Sequence, residues 1–93
     1  MQPLTKDDFA GREGTVFRTA SGDVEIELVL ETVGELPPSP RAGGAFRLVF
    51  RGPVDPILKQ ATYSLRHREQ SYDIFIVPVG QDAAGTQYEA IFF

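Results

Sequence analysis

The chain has 93 residues, of which 42% are hydrophobic and 24% charged, with a formal net charge of −4 and no cysteine. This length and composition predict one globular domain, residues 1–93, and exclude a disordered or two-domain chain. The acidic balance argues against a nucleic-acid partner, because contacts to phosphates require a basic surface. Disulfides and thiolate chemistry are excluded by the lack of cysteine.

The sequence gives no sign of a membrane or export segment. No apolar run approaches the roughly 20 residues that a helix needs to span a bilayer. The N-terminal residues also lack the apolar stretch of a secretory signal. We therefore expect a cytoplasmic location and no membrane partner.

The first segment predicts a short helix. Asp7 and Asp8 suit its first turn, because carboxylates are favourable near a helix N-terminus. Gly11 and Gly14 then end it. Phe9 is expected to plug one open end of the structure that follows.

After Gly14 the hydrophobic period changes to two, which is typical of half-buried strands. In the third such segment, Phe46, Leu48 and Phe50 fall on one face, while Arg47 lies on the other. Turn residues separate these segments. The predicted strands are residues 15–20, 24–33, 45–51, 61–68, 72–79 and 86–93.

Two segments depart from simple alternation. Residues 34–44 contain three prolines and two adjacent glycines, which predict a long loop and a candidate contact surface. Residues 74–77 are apolar on both faces, which predicts a strand covered on both sides by a second layer, by barrel closure or by a partner.

The order of these elements predicts a mainly β fold. The strands have no βαβ spacing and no internal repeat, which favours an antiparallel meander. Closing such a meander hides the strand edges. We therefore predict a small antiparallel barrel of about six strands with a short N-terminal helix; a two-layer β-sandwich is the alternative.

Charges predict which strands are neighbours. The outward face of residues 24–33 is acidic, whereas that of residues 45–51 is basic. Opposite charges across neighbouring strands are favourable. We therefore expect Glu25, Glu27 and Glu31 to face Arg47 and Arg51 as a structural ladder.

The residues available for catalysis are few, so we predict that the chain is not an enzyme. His67 is the single histidine. Ser64 lies three residues earlier and so points to the opposite strand face, which disfavours a Ser-His pair. Glu25 and Glu27 have a spacing that some glycosidases use, but an adjacent basic strand favours ion pairing. No spacing of metal ligands is present, and we predict no metal site and no cofactor.

Two sets of residues are candidates for binding. A barrel mouth holding Tyr63, His67 and Tyr88 would offer polar contacts to a small ligand. Ile91 and Phe93 share one face of an apolar C-terminal strand, which is a possible protein interface.

Several strings resemble a family of short bacterial proteins classed as a domain of unknown function. They are Phe46-x-Leu48-Val49-Phe50-Arg51-Gly52-Pro53, Leu58-x-Gln60-x-x-Tyr63-x-Leu65-x-His67, Val77-Pro78-Val79-Gly80 and Tyr88-Glu89-Ala90-x-Phe92. The chain departs from that family at Ala61, where glycine is usual, and at Phe93, where asparagine is common. The resemblance implies an accessory or structural role in a phage-tail-like assembly, and it assigns no chemistry.

The expected function is therefore a non-catalytic β-barrel module that mediates protein–protein interaction or self-assembly. Its location would be the cytoplasm or a phage-like particle. A barrel that binds a small ligand is the first alternative, and an enzyme using His67 is the second.

Overall fold

The period of two in the sequence corresponds to six antiparallel strands that close into one barrel in the order β1-β2-β3-β6-β5-β4. The structure, a computed structural model, describes residues 6–36 and 45–92. Its strands are β1 Val16–Ser21, β2 Val24–Glu35, β3 Phe46–Gly52, β4 Ala61–His67, β5 Gln70–Asp82 and β6 Gly85–Phe92. The predicted antiparallel barrel is confirmed, and the sandwich alternative is not adopted. The predicted meander is wrong, because β3 pairs with β6, and β4 closes the barrel against β1.

The fifth strand is longer than the sequence predicts. β5 spans 13 residues, because tight turns at residues 68–69 and 83–84 replace the longer loops expected on either side. A register shift between Pro78 and Gly80 interrupts its pairing with β6. Such a bulge accommodates a proline, which has no backbone N–H to give to the ladder.

The barrel interior is filled by its own side chains. Alternate residues of the strands point inward, and the buried set forms one cluster. Its members are Phe9, Phe17, Ile26, Leu28, Leu30, Phe46, Leu48, Phe50, Leu58, Leu65, Ile74, Ile76, Tyr88 and Ala90. Burial of this apolar surface is the main favourable contribution to folding.

The N-terminal segment closes one end of the barrel as predicted, but with less helix. A single 3₁₀ turn, Lys6–Asp8, stands in place of the predicted short helix. Phe9 follows it and is 1% exposed, with ring-centroid distances of 6.4 Å to Phe17, 6.2 Å to Phe46 and 5.6 Å to Tyr72. In the part of the chain that the structure describes, no helix has the length and apolar character needed to cross a membrane.

The barrel closes between β1 and β4, and this seam has little backbone pairing. β1 and β4 pair at a single position, Arg18 opposite Arg66, whereas β1 and β2 pair from Val16 to Ser21. Side chains add to the closure. The imidazole Nδ1 of His67 lies 3.2 Å from the carbonyl oxygen of Val16, so this nitrogen carries the proton that it donates.

Candidate functional site

The structure does not bring the three predicted ligand contacts together at a barrel mouth. Tyr88 is fully buried, and its hydroxyl oxygen accepts a hydrogen bond of 2.8 Å from the backbone N–H of Leu58. This bond holds the loop before β4 against the core. The prediction that Tyr88 is a rim contact is therefore wrong, because an inward-facing position in the middle of β6 is a core position.

Tyr63 and His67 lie towards opposite ends of β4. They are four positions apart in the sequence, which corresponds to about 13 Å along a strand. The Tyr63 hydroxyl donates to the carbonyl oxygen of Lys59 at 2.7 Å, so it serves the local loop. Both residues are half-buried, and each makes its own local hydrogen bond in place of a shared site.

The filled interior also opposes a ligand inside the barrel. The inward positions of the described strands are occupied by packed side chains, and the buried Thr19 and Thr86 share that interior. Among the described residues, every buried side-chain nitrogen and oxygen has a hydrogen-bond partner. A lumen lined by such groups offers neither volume nor unsatisfied polar atoms to a ligand.

The contacts of His67 in the described chain are with Val16 and Phe17. Its ring packs 5.7 Å from the Phe17 ring, and its Nδ1 bonds to Val16 at the seam. The Ser64 hydroxyl instead lies 2.7 Å from the hydroxyl of Ser71. No group of three or more His, Cys, Asp or Glu residues within 6–36 and 45–92 could hold a metal ion.

The predicted ladder of acidic and basic residues is half correct. β2 and β3 do pair, and Arg51 Nε donates to Glu31 Oε2 at 2.6 Å. Arg47, however, pairs with Glu89 of β6. Barrel closure explains the difference, because it places β6 on the other side of β3 and supplies a carboxylate that strand order alone does not reveal.

The two remaining glutamates of the predicted ladder also face other strands. Glu27 lies 3.4 Å from Arg18 of β1, and Glu25 lies 3.2 Å from Arg66 of β4. These two carboxylates are therefore ion-paired on the outer surface. Their spacing along β2 reflects strand geometry.

The best-connected charged cluster surrounds Arg51. Its Nη1 donates to Asp82 at 3.0 Å, and Gln87 donates to the second oxygen of Glu31 at 3.1 Å. The hydrogen bond from Arg51 lowers the pKa of Glu31, and the backbone N–H of Ala84 followed by Arg51 lowers the pKa of Asp82. These bonds fix the end of β3 to the β5–β6 hairpin.

Replacing Arg51 with glutamine is expected to destabilise the chain at neutral pH and much less in acid. Arg51 lowers the pKa of Glu31 in the folded chain. The ion pair therefore stabilises the fold at pH values above 4.5, the ordinary pKa of a glutamate, and this stabilisation is lost as the pH falls through the lowered folded-state pKa. Urea denaturation at about pH 7 and about pH 3 measures this difference. The control is Arg18→Gln, which removes a more exposed pair. An Arg51→Gln loss that does not shrink in acid would contradict the assignment.

The clearest surface feature is an apolar patch on β5 and β6. Phe75 is 50% exposed and Ile91 is 36% exposed, both pointing outward. Val77 lies opposite Glu89. Two neighbouring strands that kept this register would place Phe75 opposite Ile91. We call Phe75, Val77 and Ile91 the β5–β6 face. Barrel closure buries only the inner side of β5, so the expected coverage of its outer side is not met within the described chain.

Part of the predicted interface cannot be placed. Ile91 belongs to the β5–β6 face, whereas Phe93 and most of the predicted contact loop, residues 37–44, lie outside the described residues. Phe92, which lies between Ile91 and Phe93 in the sequence, points inward, and its ring stacks on that of Phe46 with a centroid distance of 4.4 Å. Phe75 was not among the predicted interface residues, although the apolar run at 74–77 was the signal that marked it.

The geometry of residues 6–36 and 45–92 defines a class: a small closed six-stranded β-barrel whose interior is filled by its own side chains. The chain belongs to the family described as Domain of unknown function (DUF6916), which matches residues 4–92. No curated protein matches the chain. No solved structure matches it either.

Proposed function

We propose that this chain is a non-catalytic β-barrel module that self-associates through the β5–β6 face. The observation that carries the proposal is the exposure of Phe75 and Ile91, together with the half-buried Val77, on the outside of a barrel whose interior is already full. An outward phenylalanine adds nothing to core packing, whereas burial between two subunits removes its apolar area from water.

The charges beside the face favour a second copy of the chain as the partner. Arg47 is opposite Ile91, and Glu89 is opposite Val77, so a cation and an anion lie next to the same apolar centre. A twofold contact places the same patch on both subunits. Arg47 and Glu89 form an ion pair within each chain. A twofold contact would set the two pairs side by side, where each cation also faces the other copy's anion, which makes the patch complementary to itself.

Self-association is tested by light scattering after size-exclusion chromatography over a range of concentrations. We expect the native chain to form dimers with rising concentration, and Phe75→Asp or Ile91→Asp to remain monomeric, because each buries a charge in the contact. Val24→Asp is the matched control. Val24 is also 50% exposed but lies at the start of β2, on the opposite side of the barrel.

Two results would contradict the proposal. A native chain that stays monomeric up to about 1 mM, a concentration that detects even weak contacts, would exclude self-association through this face. A dimer equally disrupted by the Val24→Asp control would place the contact elsewhere. Circular dichroism of each variant confirms that the fold is retained.

The wider biological role that we propose rests on the family resemblance alone. An accessory or structural part in a phage-tail-like assembly, in the cytoplasm or in a phage-like particle, is compatible with a module that makes protein contacts. The enzyme alternative centred on His67 has no supporting observation at that residue.

A further inference from the structure

The seam between β1 and β4 carries a basic groove of about 470 Å³ on the outer surface. We call it the seam groove. Its lining residues are Val16, Arg18, Glu25, Arg66, His67 and Arg68. Three guanidinium groups and one imidazole therefore surround a single carboxylate. This local balance is opposite to that of the whole chain, which has a net charge of −4.

The one backbone pair of the seam sets two like charges against each other. Arg18 is directly opposite Arg66, an arrangement that is unfavourable across neighbouring strands. Two glutamates of β2 relieve this repulsion. Glu27 lies 3.4 Å from Arg18, and Glu25 lies 3.2 Å from Arg66. The side chains of both pairs are more than half exposed, so water and other carboxylates have access to them. Exposed pairs of this kind hold their partners weakly.

The third arginine of the groove occupies a position that does not suit it. Arg68 begins the turn between β4 and β5 with φ at 57°, a left-handed conformation that glycine, asparagine and aspartate adopt more readily. It forms no ion pair with any residue in the described ranges. Neither turn geometry nor an internal partner accounts for an arginine here. Departures from local preference of this sort are expected at functional positions.

We propose that the seam groove binds an extended acidic segment of a partner protein. Carboxylates of the segment contact Arg68 and replace Glu25 and Glu27 on Arg66 and Arg18, which separates the two opposed guanidinium groups with negative charge. This site is independent of the β5–β6 face, since it lies on other strands and uses charge in place of apolar area.

A short acidic segment fits the groove better than a nucleic acid does. The negative charges of a short segment are confined to the groove. A nucleic acid is longer, so its phosphates would also lie over the rest of the surface, which is acidic overall and repels them. Glu69 lies next to Arg68 in the β4–β5 turn and limits the basic region on that side. The groove is therefore matched to a few carboxylates.

The probe is a short synthetic peptide that alternates glutamate with threonine, with both ends blocked. Amide NMR spectra of the full chain are recorded as the peptide is added. We expect shifts confined to β1, β4 and the turn at residues 68–69. Arg68→Gln should weaken binding by roughly threefold to tenfold, the range for one charged contact at an exposed site. Lys59→Gln is the control, because Lys59 is another exposed cation, has no ion pair with a residue in 6–36 or 45–92, and lies outside the groove.

Several outcomes separate this proposal from its rivals. Loss of binding when glutamine replaces the glutamates of the peptide, and weakening as salt rises from about 0.02 M to about 0.5 M, support it. Equal weakening by Arg68→Gln and Lys59→Gln overturns it, because the attraction is then not specific to the groove. No shift at millimolar peptide overturns it as well. Shifts at the seam with a single-stranded oligothymidylate in place of the peptide would also overturn it, in favour of a nucleic-acid site.

Discussion

Replacing Gly85 with alanine is expected to destabilise the barrel by about 3 kcal/mol or more, the combined cost of backbone strain and overpacking. Gly85 opens β6 with φ at 142°, a conformation that residues with a Cβ rarely adopt. An added Cβ would lie 2.1 Å from the carbonyl oxygen of Gly52. Because that oxygen belongs to the backbone of β3, only a shift of one strand against the other relieves the clash.

A second glycine, Gly22, allows the cost of backbone strain to be measured apart from the cost of overpacking. Gly22, in the β1–β2 turn, has φ at 61° and no atom within 4 Å of an added Cβ, so alanine there costs only the backbone strain. We expect Gly22→Ala to lose about 1–2 kcal/mol. Urea denaturation followed by far-ultraviolet circular dichroism measures both, since the chain has no tryptophan. Equal losses at the two glycines would show that β3 and β6 separate easily at this end.

Replacing Phe9 with alanine is expected to cost about 3–5 kcal/mol, the usual range for removing a buried phenylalanine ring. Phe9 precedes the first strand, yet its ring contacts those of Phe17, Phe46 and Tyr72 at the end of the barrel. Without it, the end of the hydrophobic cluster opens to water. A single 3₁₀ turn has little stability of its own, so the N-terminal segment is expected to detach.

The same substitution at Phe75 is the control. Phe75→Ala removes the same atoms from a side chain that is 50% exposed, and at a concentration that keeps the chain monomeric it should change stability by about 0.5 kcal/mol or less. Thermal and urea denaturation of the two variants give the comparison. Similar losses from Phe9→Ala and Phe75→Ala would mean that the N-terminal segment is not part of the cooperative core.

These two phenylalanines have opposite roles that bear on function. Phe9 lies outside the strands and is expected to contribute strongly to stability, whereas Phe75 lies within a strand and is expected to contribute little to the isolated chain. A residue whose apolar area is not used in folding remains available for contact with another subunit. The β5–β6 face follows from this contrast.

The sequence was informative wherever a residue's environment depends on its own strand. The alternation of Phe46, Leu48 and Phe50 with Arg47 predicted which side chains point inward, and the structure agrees. Phe9 lies before the first strand, and its predicted position as a plug at one open end of the sheet is also confirmed. A hydrophobic period of two in the sequence indicates which side chains of a strand are buried, because successive side chains alternate between the two faces of the sheet.

The sequence was less informative wherever closure of the barrel decides the neighbours. It predicted acidic partners on β2 for both Arg47 and Arg51, but Arg47 pairs with Glu89, 42 positions away. It placed Tyr88 at a rim, because alternation along one strand does not tell the middle of a barrel from its mouth. It also gave no sign that Arg18 and Arg66 meet at the seam.

By itself, then, the sequence determined the strand content, the inward faces and the antiparallel pairing of strands joined by short turns, because these follow from local periodicity and short connections. It did not determine the strand order, in which β3 lies beside β6 and β4 beside β1. Only the tertiary structure decided which face of β5 stays exposed, which charges pair and where the barrel closes. These depend on contacts between residues far apart in the chain, which are set by the curvature and register of the whole sheet.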